Sequence, residues 1–135
     1  MRAVEAAARA ALSWVFIFSG QDVLRHPEKP SKTAAPLLAA IRSRAPVPMP
    51  DDVVLVRVNA AVQVTAGIAL ALGVKPRAAA AVLAASLLPT TAGGHAFWTH
   101  EDPVQRVNQR NHFNKNLGLL GGLLFIVITG KGGRS

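Results

Sequence analysis

A chain of 135 residues that is 50% hydrophobic and only 16% charged, with a mean hydropathy of +0.30, departs from the balance of an ordinary water-soluble domain. Its net charge of +8 is carried in the gaps between apolar runs, where charge avoids hydrocarbon. With 5% aromatics and no tyrosine, it lacks the stacking side chains of a nucleic-acid face, so no nucleic-acid partner is expected. The absence of cysteine excludes disulfides, thiolate metal sites and Cys-X-X-Cys redox chemistry.

The first apolar run reaches bilayer length only if its helix starts near Val4 and ends near Leu24, with Arg9 snorkelling along its apolar stem. Glu5 and Arg9 interrupt the approach, and no small-x-small site follows cleanly. We therefore expect a retained span over residues 4–24 rather than a cleaved secretory signal. In the long connection that follows, Ala34, Leu37, Leu38 and Ile41 recur at helical spacing between Lys32, Arg42 and Arg44. They predict a short interfacial helix, lying on the bilayer surface or over the bundle. Pro46, Pro48 and Pro50 force an extended run, after which Asp51 or Asp52 is placed to cap the second span.

The second span is predicted over residues 53–74, with Arg57 near its start and Asn59 and Gln63 after it. Gly73-Val74-Lys75-Pro76-Arg77 combines a helix-ending glycine with a helix-opening proline, making spans two and three a tight antiparallel hairpin. The third span, residues 77–98, contains Pro89, which has no amide proton. It predicts either a kink eased by Thr90 and Thr91 beside a cavity or simply a helix that ends at Gly93. His95 adjoins this span and, as a neutral imidazole, can hydrogen-bond a carbonyl oxygen or pass a proton; a packing histidine fits equally. Trp98 stands where an interfacial belt residue would.

Asp102-Pro103 has the form of a helix start, opening a fourth span over residues 103–130. Asp102, Arg106 and Arg110 share one helical stripe, either as a solvated ladder or, with Lys115 and Asn116 at the mouth of the span, as part of a polar face. Gly118 and Gly122 form a G-x-x-x-G pair that would let this helix approach the alanine-rich third span. No histidines are paired at matching depth on facing spans, so no metal site is expected.

Together these elements predict one all-α domain over residues 1–135, an integral membrane four-helix bundle with a short interfacial helix in the first long loop. Both termini lie on one side. Arg2, Lys75, Arg77, Lys131 and Arg134 mark that side almost without acids. The opposite connections also carry many bases, and cytoplasmic termini are the working orientation for a multi-pass protein of the cell membrane.

The run from Pro89-Thr90-Thr91 through Gly94-His95-Ala96-Phe97-Trp98, Asp102-Pro103, Arg106 and Phe113-Asn114-Lys115-Asn116 to Gly121-Gly122 resembles the DoxX family of small membrane proteins. So does Phe18-Ser19-Gly20 with Arg25-His26-Pro27. The resemblance implies four spans and an association with quinol oxidase and thiosulfate:quinone oxidoreductase systems. It leads to the expectation of an accessory or redox-associated subunit that binds a quinone-like or other small amphipathic ligand at one membrane face. The candidate ligand-binding residues are Arg57, His95, Trp98, Arg106, Arg110, Lys115 and Asn116. The chain has no evident electron carrier of its own, so chemistry would rest with a quinone or with a partner oxidoreductase subunit. A non-catalytic membrane scaffold or assembly factor docking a partner protein is the alternative. A small transporter or channel built from oligomers is a third reading.

Overall fold

The computed structural model describes residues 2–94 and 97–130. Among them are five α-helices and no strand: α1 (Arg2–Arg25), α2 (Glu28–Arg44), α3 (Asp52–Leu72), α4 (Pro76–Gly94) and α5 (Pro103–Thr129), with a 3₁₀ turn at Phe97–Thr99. The boundaries follow local chemistry. Gly73 ends α3 in the left-handed region at φ 73°, where its N–H reaches the Leu70 carbonyl and that of Val74 reaches Ala69, the double bond of a Schellman end. Gly130 closes α5 in the same region, its N–H on the Ile126 carbonyl. At the start of α5, Asp102 accepts from the Val104 N–H at 3.0 Å and Pro103 occupies the first turn. Replacing Asp102 by alanine is expected to cost about 1 kcal/mol of stability, and Asp102→Asn much less; thermal unfolding of the detergent-solubilised protein checks both.

The start of α3 differs from expectation. Asp51 occupies the capping position, but its side chain makes no cap hydrogen bond. Asp52 instead pairs with Arg42 at 2.8 Å, while the same guanidinium nitrogen bonds the Pro50 carbonyl. The proline-rich connection is thereby tied to the end of α2.

α1 and α3 run antiparallel and approach through glycines. Gly20 lies against Ala60 and Val64, Gly67 against Phe16 and Ile17, and the Arg9 guanidinium lies over Gly73. α4 folds back on α3. α5 folds back on α4, with Arg77 donating to the Ile128 carbonyl at 2.9 Å near the end of α5. The expected close approach through Gly118 and Gly122 is not formed between α4 and α5. Nothing lies within 4 Å of a side-chain position at Gly118 or Gly121, and Gly122 faces Leu12 of α1. α2 extends from Glu28, well before the predicted periodic stretch, and packs on α3 and α4, with Ala34 and Leu37 against Gly93.

α1, α3 and α5 are long and apolar enough to cross a membrane; α4 is not among them. Alanine is only weakly apolar, and Arg77, Ser86, Thr90 and Thr91 dilute the segment further. The packing accounts for the difference. Among the described residues α4 supplies half of the buried core, with Ala79, Ala80, Leu83, Ala84 and Leu87 joining Phe16, Ala66, Leu70, Leu123 and Ile126. One face of α4 is packed into this core, where small side chains allow close approach, while its other face, with Val82 and Leu88, is exposed. The outward faces of the other helices also carry large apolar side chains, including Trp14, Val54, Ile68, Phe125 and Ile128.

Candidate functional site

A cavity of about 590 Å³ opens between α1, α2, α3, α4 and α5. Its walls are apolar, with Val15 and Phe16 from α1, Leu37 and Leu38 from α2, and Leu87 and Leu119 from α4 and α5. Polar side chains from each of the five helices are set among these apolar ones, the combination a small-molecule site uses. A second recess of about 540 Å³ lies along the outer seam of α3 and α4 and is almost wholly aliphatic; it offers little to orient a ligand.

Four polar side chains form two i, i+4 pairs on facing helices, and three of them, Asn59, Gln63 and Thr90, line the cavity. Asn59 and Gln63 project from α3, Ser86 and Thr90 from α4. The Thr90 hydroxyl donates to the Ser86 carbonyl at 3.0 Å and accepts from Asn59 Nδ2 at 2.9 Å and Gln63 Nε2 at 3.0 Å. The Ser86 hydroxyl donates to Asn59 Oδ1 at 2.6 Å. Because the Thr90 proton is committed to a carbonyl, both amides must present N–H to it, which fixes their orientation. Pro89, lacking an N–H, sits beside this cluster on an α4 that continues to Gly94.

Across the cavity, Asn116 of α5 donates to Thr91 Oγ1 at 3.0 Å. Gln63 and Asn116 are each 6% exposed and both line the cavity. The Gln63 Oε1 and Asn116 Oδ1 atoms have no hydrogen-bond partner among the described residues, and each amide retains a second N–H. Two buried amides with spare capacity of both signs can therefore meet either a carbonyl or a hydroxyl on a bound molecule.

Of the residues singled out from the sequence, Lys115 and Asn116 line this cavity. Arg57, Trp98, Arg106 and Arg110 are not among the lining residues and are exposed. Arg106 holds the preceding turn, its Nε donating to the His100 carbonyl at 3.0 Å. Trp98 is 57% exposed and meets Phe113 edge-on at 6.0 Å. Asp102 serves as the α5 cap rather than pairing with Arg106, and the one ion pair among the described residues is Arg42–Asp52. His95 lies outside the described residues. The cluster of Asn59, Gln63, Ser86 and Thr90 was not among the candidates. Two polar i, i+4 pairs in otherwise apolar helices, on the two arms of one hairpin, are the pattern that marks it. Among the described residues no group of three or more histidines and acids stands ready to hold a metal.

No curated protein and no solved structure matches this chain. A model of the DoxX family matches residues 5–101. The matched stretch takes in nearly all of α1, the whole of α2, α3 and α4, and the Asn59–Thr90 cluster, stopping short of α5 and its Lys115 and Asn116. On a match that spans most of its length, this membrane protein belongs to the DoxX family.

Proposed function

We propose that the chain is a multi-pass protein of the cell membrane, with α1, α3, α4 and α5 as its membrane bundle and α2 covering one end. In this reading its cavity binds a small amphipathic ligand with a quinone-like head group. The observation that carries the reading is the pair of buried amides, Gln63 and Asn116, facing a largely apolar cavity with unused hydrogen-bonding capacity. A quinone head presents carbonyl acceptors and its reduced form presents hydroxyls. Amides serve both without rearrangement, and the aliphatic wall takes the tail. α3, with 21 residues, is about 31 Å long, which matches the hydrocarbon thickness of a bilayer. Arg57 then lies about one and a half turns inside the boundary, on the exposed side of the helix, where its side chain can reach the head groups.

The chain contributes binding and orientation; electron transfer belongs to the ligand and to a partner oxidoreductase subunit. The test is saturable binding of a decyl-tailed benzoquinone to protein in phosphatidylcholine nanodiscs. Gln63→Leu combined with Asn116→Leu is expected to weaken it by about ten-fold or more. Failure of the wild-type protein to bind any quinone would end the proposal.

The scaffold reading draws on one feature. Residues 101–108, around the start of α5, are all exposed, with Val104 and Val107 beside Arg106, a helical surface able to dock a partner protein. A stable stoichiometric partner that co-purifies in mild detergent, and is lost with Arg106→Glu but retained with Asn116→Leu, would favour it.

A further inference from the structure

The polar groups of the cavity are segregated by charge. Its buried part carries only uncharged amides and hydroxyls, whereas the ionisable side chains that line it are Lys29 of α2 and His112 and Lys115 of α5. No Asp or Glu lines it. Lys29 and Lys115 are exposed residues, so their ammonium groups reach the rim while their stems lie along the apolar wall. The one ion pair among the described residues lies elsewhere, between Arg42 and Asp52, and leaves both lysines without a carboxylate partner. Two uncompensated cations at the mouth of a chamber with largely apolar walls attract an anion more strongly than the same cations would on an open surface.

Size narrows the occupant. At about 30 Å³ per water-sized group, a cavity of about 590 Å³ takes roughly twenty non-hydrogen atoms. That suits one chain or one ring with a short tail and falls well short of a two-chain phospholipid.

We propose that the cavity selects single-chain amphiphiles with an anionic head, of which a long-chain carboxylate is the simplest, and that Lys29 and Lys115 read that charge. The inference rests on the cavity being an amphiphile site at all, and adds to it a rule of charge. A ring-bearing ligand obeys the same rule if it carries an acidic substituent at the rim end. A phospholipid phosphate offers the same anionic chemistry, so the two sources must be separated by experiment.

The experiment uses the full chain in phosphatidylcholine nanodiscs, with labelled hexadecanoate displaced by unlabelled competitors at matched mole fraction. Hexadecanoate is expected to compete about ten-fold better than its methyl ester. That preference should shrink in molar salt and in the Lys29→Gln/Lys115→Gln double variant. An Arg2→Gln/Arg44→Gln variant, with the same loss of charge away from the cavity, should keep it. Doping the discs with phosphatidylglycerol should leave hexadecanoate bound; its displacement would identify a phospholipid as the occupant and overturn the single-chain assignment. Equal competition by acid and ester, with the decyl-tailed benzoquinone still bound, would overturn the charge rule and leave the cavity reading standing. If neither the acid, the ester nor the quinone binds, both fall.

Discussion

Thr90→Val is expected to lower the stability of the protein by about 1–2 kcal/mol and to weaken ligand binding by about ten-fold. Valine matches threonine in shape, so the packing of α4 is preserved and the loss isolates the hydroxyl. That hydroxyl is the shared acceptor for Asn59 Nδ2 and Gln63 Nε2, and without it two amide donors lose their partner at once. The upper limit is set by the cavity, since amides that border it can turn toward water or another helix. Hydrogen bonds between membrane helices average only about 0.6 kcal/mol when measured in pairs. The effect on binding follows from the same rearrangement, because Gln63 freed from Thr90 no longer holds one orientation. Thr90→Ser retains the hydroxyl and should stay within about 0.5–1 kcal/mol of wild type. Thermal unfolding followed by circular dichroism, alongside the nanodisc titration, distinguishes the two; identical behaviour of the valine and serine variants would show that the hydroxyl carries no weight.

Gly20→Ala is expected to destabilise by about 1–3 kcal/mol, while Gly118→Ala and Gly121→Ala are expected to be neutral or to stabilise by up to about 1 kcal/mol. The opposite signs come from what a methyl group meets. At Gly20 it would lie 2.6 Å from Val64 Cγ2 and 2.9 Å from the Ala60 carbonyl oxygen. The valine is stiff at χ1 in a helix and the carbonyl cannot move without its backbone, so α1 must shift away from α3. At Gly118 and Gly121 nothing lies within 4 Å, and only the gain in helix propensity remains. Since Val15, Phe16 and Ser19 of α1 also line the cavity, the shift at Gly20 should widen it and reduce affinity together with melting temperature. Stabilisation by Gly20→Ala would remove the glycine contact as the basis of the α1–α3 packing.

Hydropathy and the glycine and proline punctuation made the long helices legible. As helices, α1, α3 and α5 begin and end within two residues of the stretches 4–24, 53–74 and 103–130. The Asp102-Pro103 start is found as the residues imply, because capping is local chemistry. α4 ends earlier than the expected residue 98, and α2 begins earlier than its apolar periodicity suggests. The end of α4 at Gly94 agrees with the reading of a helix that stops at Gly93, and that glycine packs against Ala34 and Leu37 of α2. The candidate site was less legible for a physical reason. Charge stands out in an apolar sequence and drew attention to the bases, yet Arg57, Arg106 and Arg110 are exposed. The neutral side chains that meet in the cavity are modest residues lying 25 to 31 positions apart in the chain. Their partnership becomes visible only once α3 and α4 are folded against each other.

The central position of α4 bears on how the protein is made. A segment so rich in alanine and hydroxyls gains little from lipid when it emerges alone, whereas α3, joined to it by a turn of a few residues, gains a great deal. In the proposed four-span arrangement the two are suited to enter the bilayer as one hairpin, with Ser86 and Thr90 matched to Asn59 and Gln63 as they leave water. On that route the Asn59, Gln63, Ser86 and Thr90 bonds would serve first to carry polar atoms across the interface, and a role in recognition would be a second use of the same bonds.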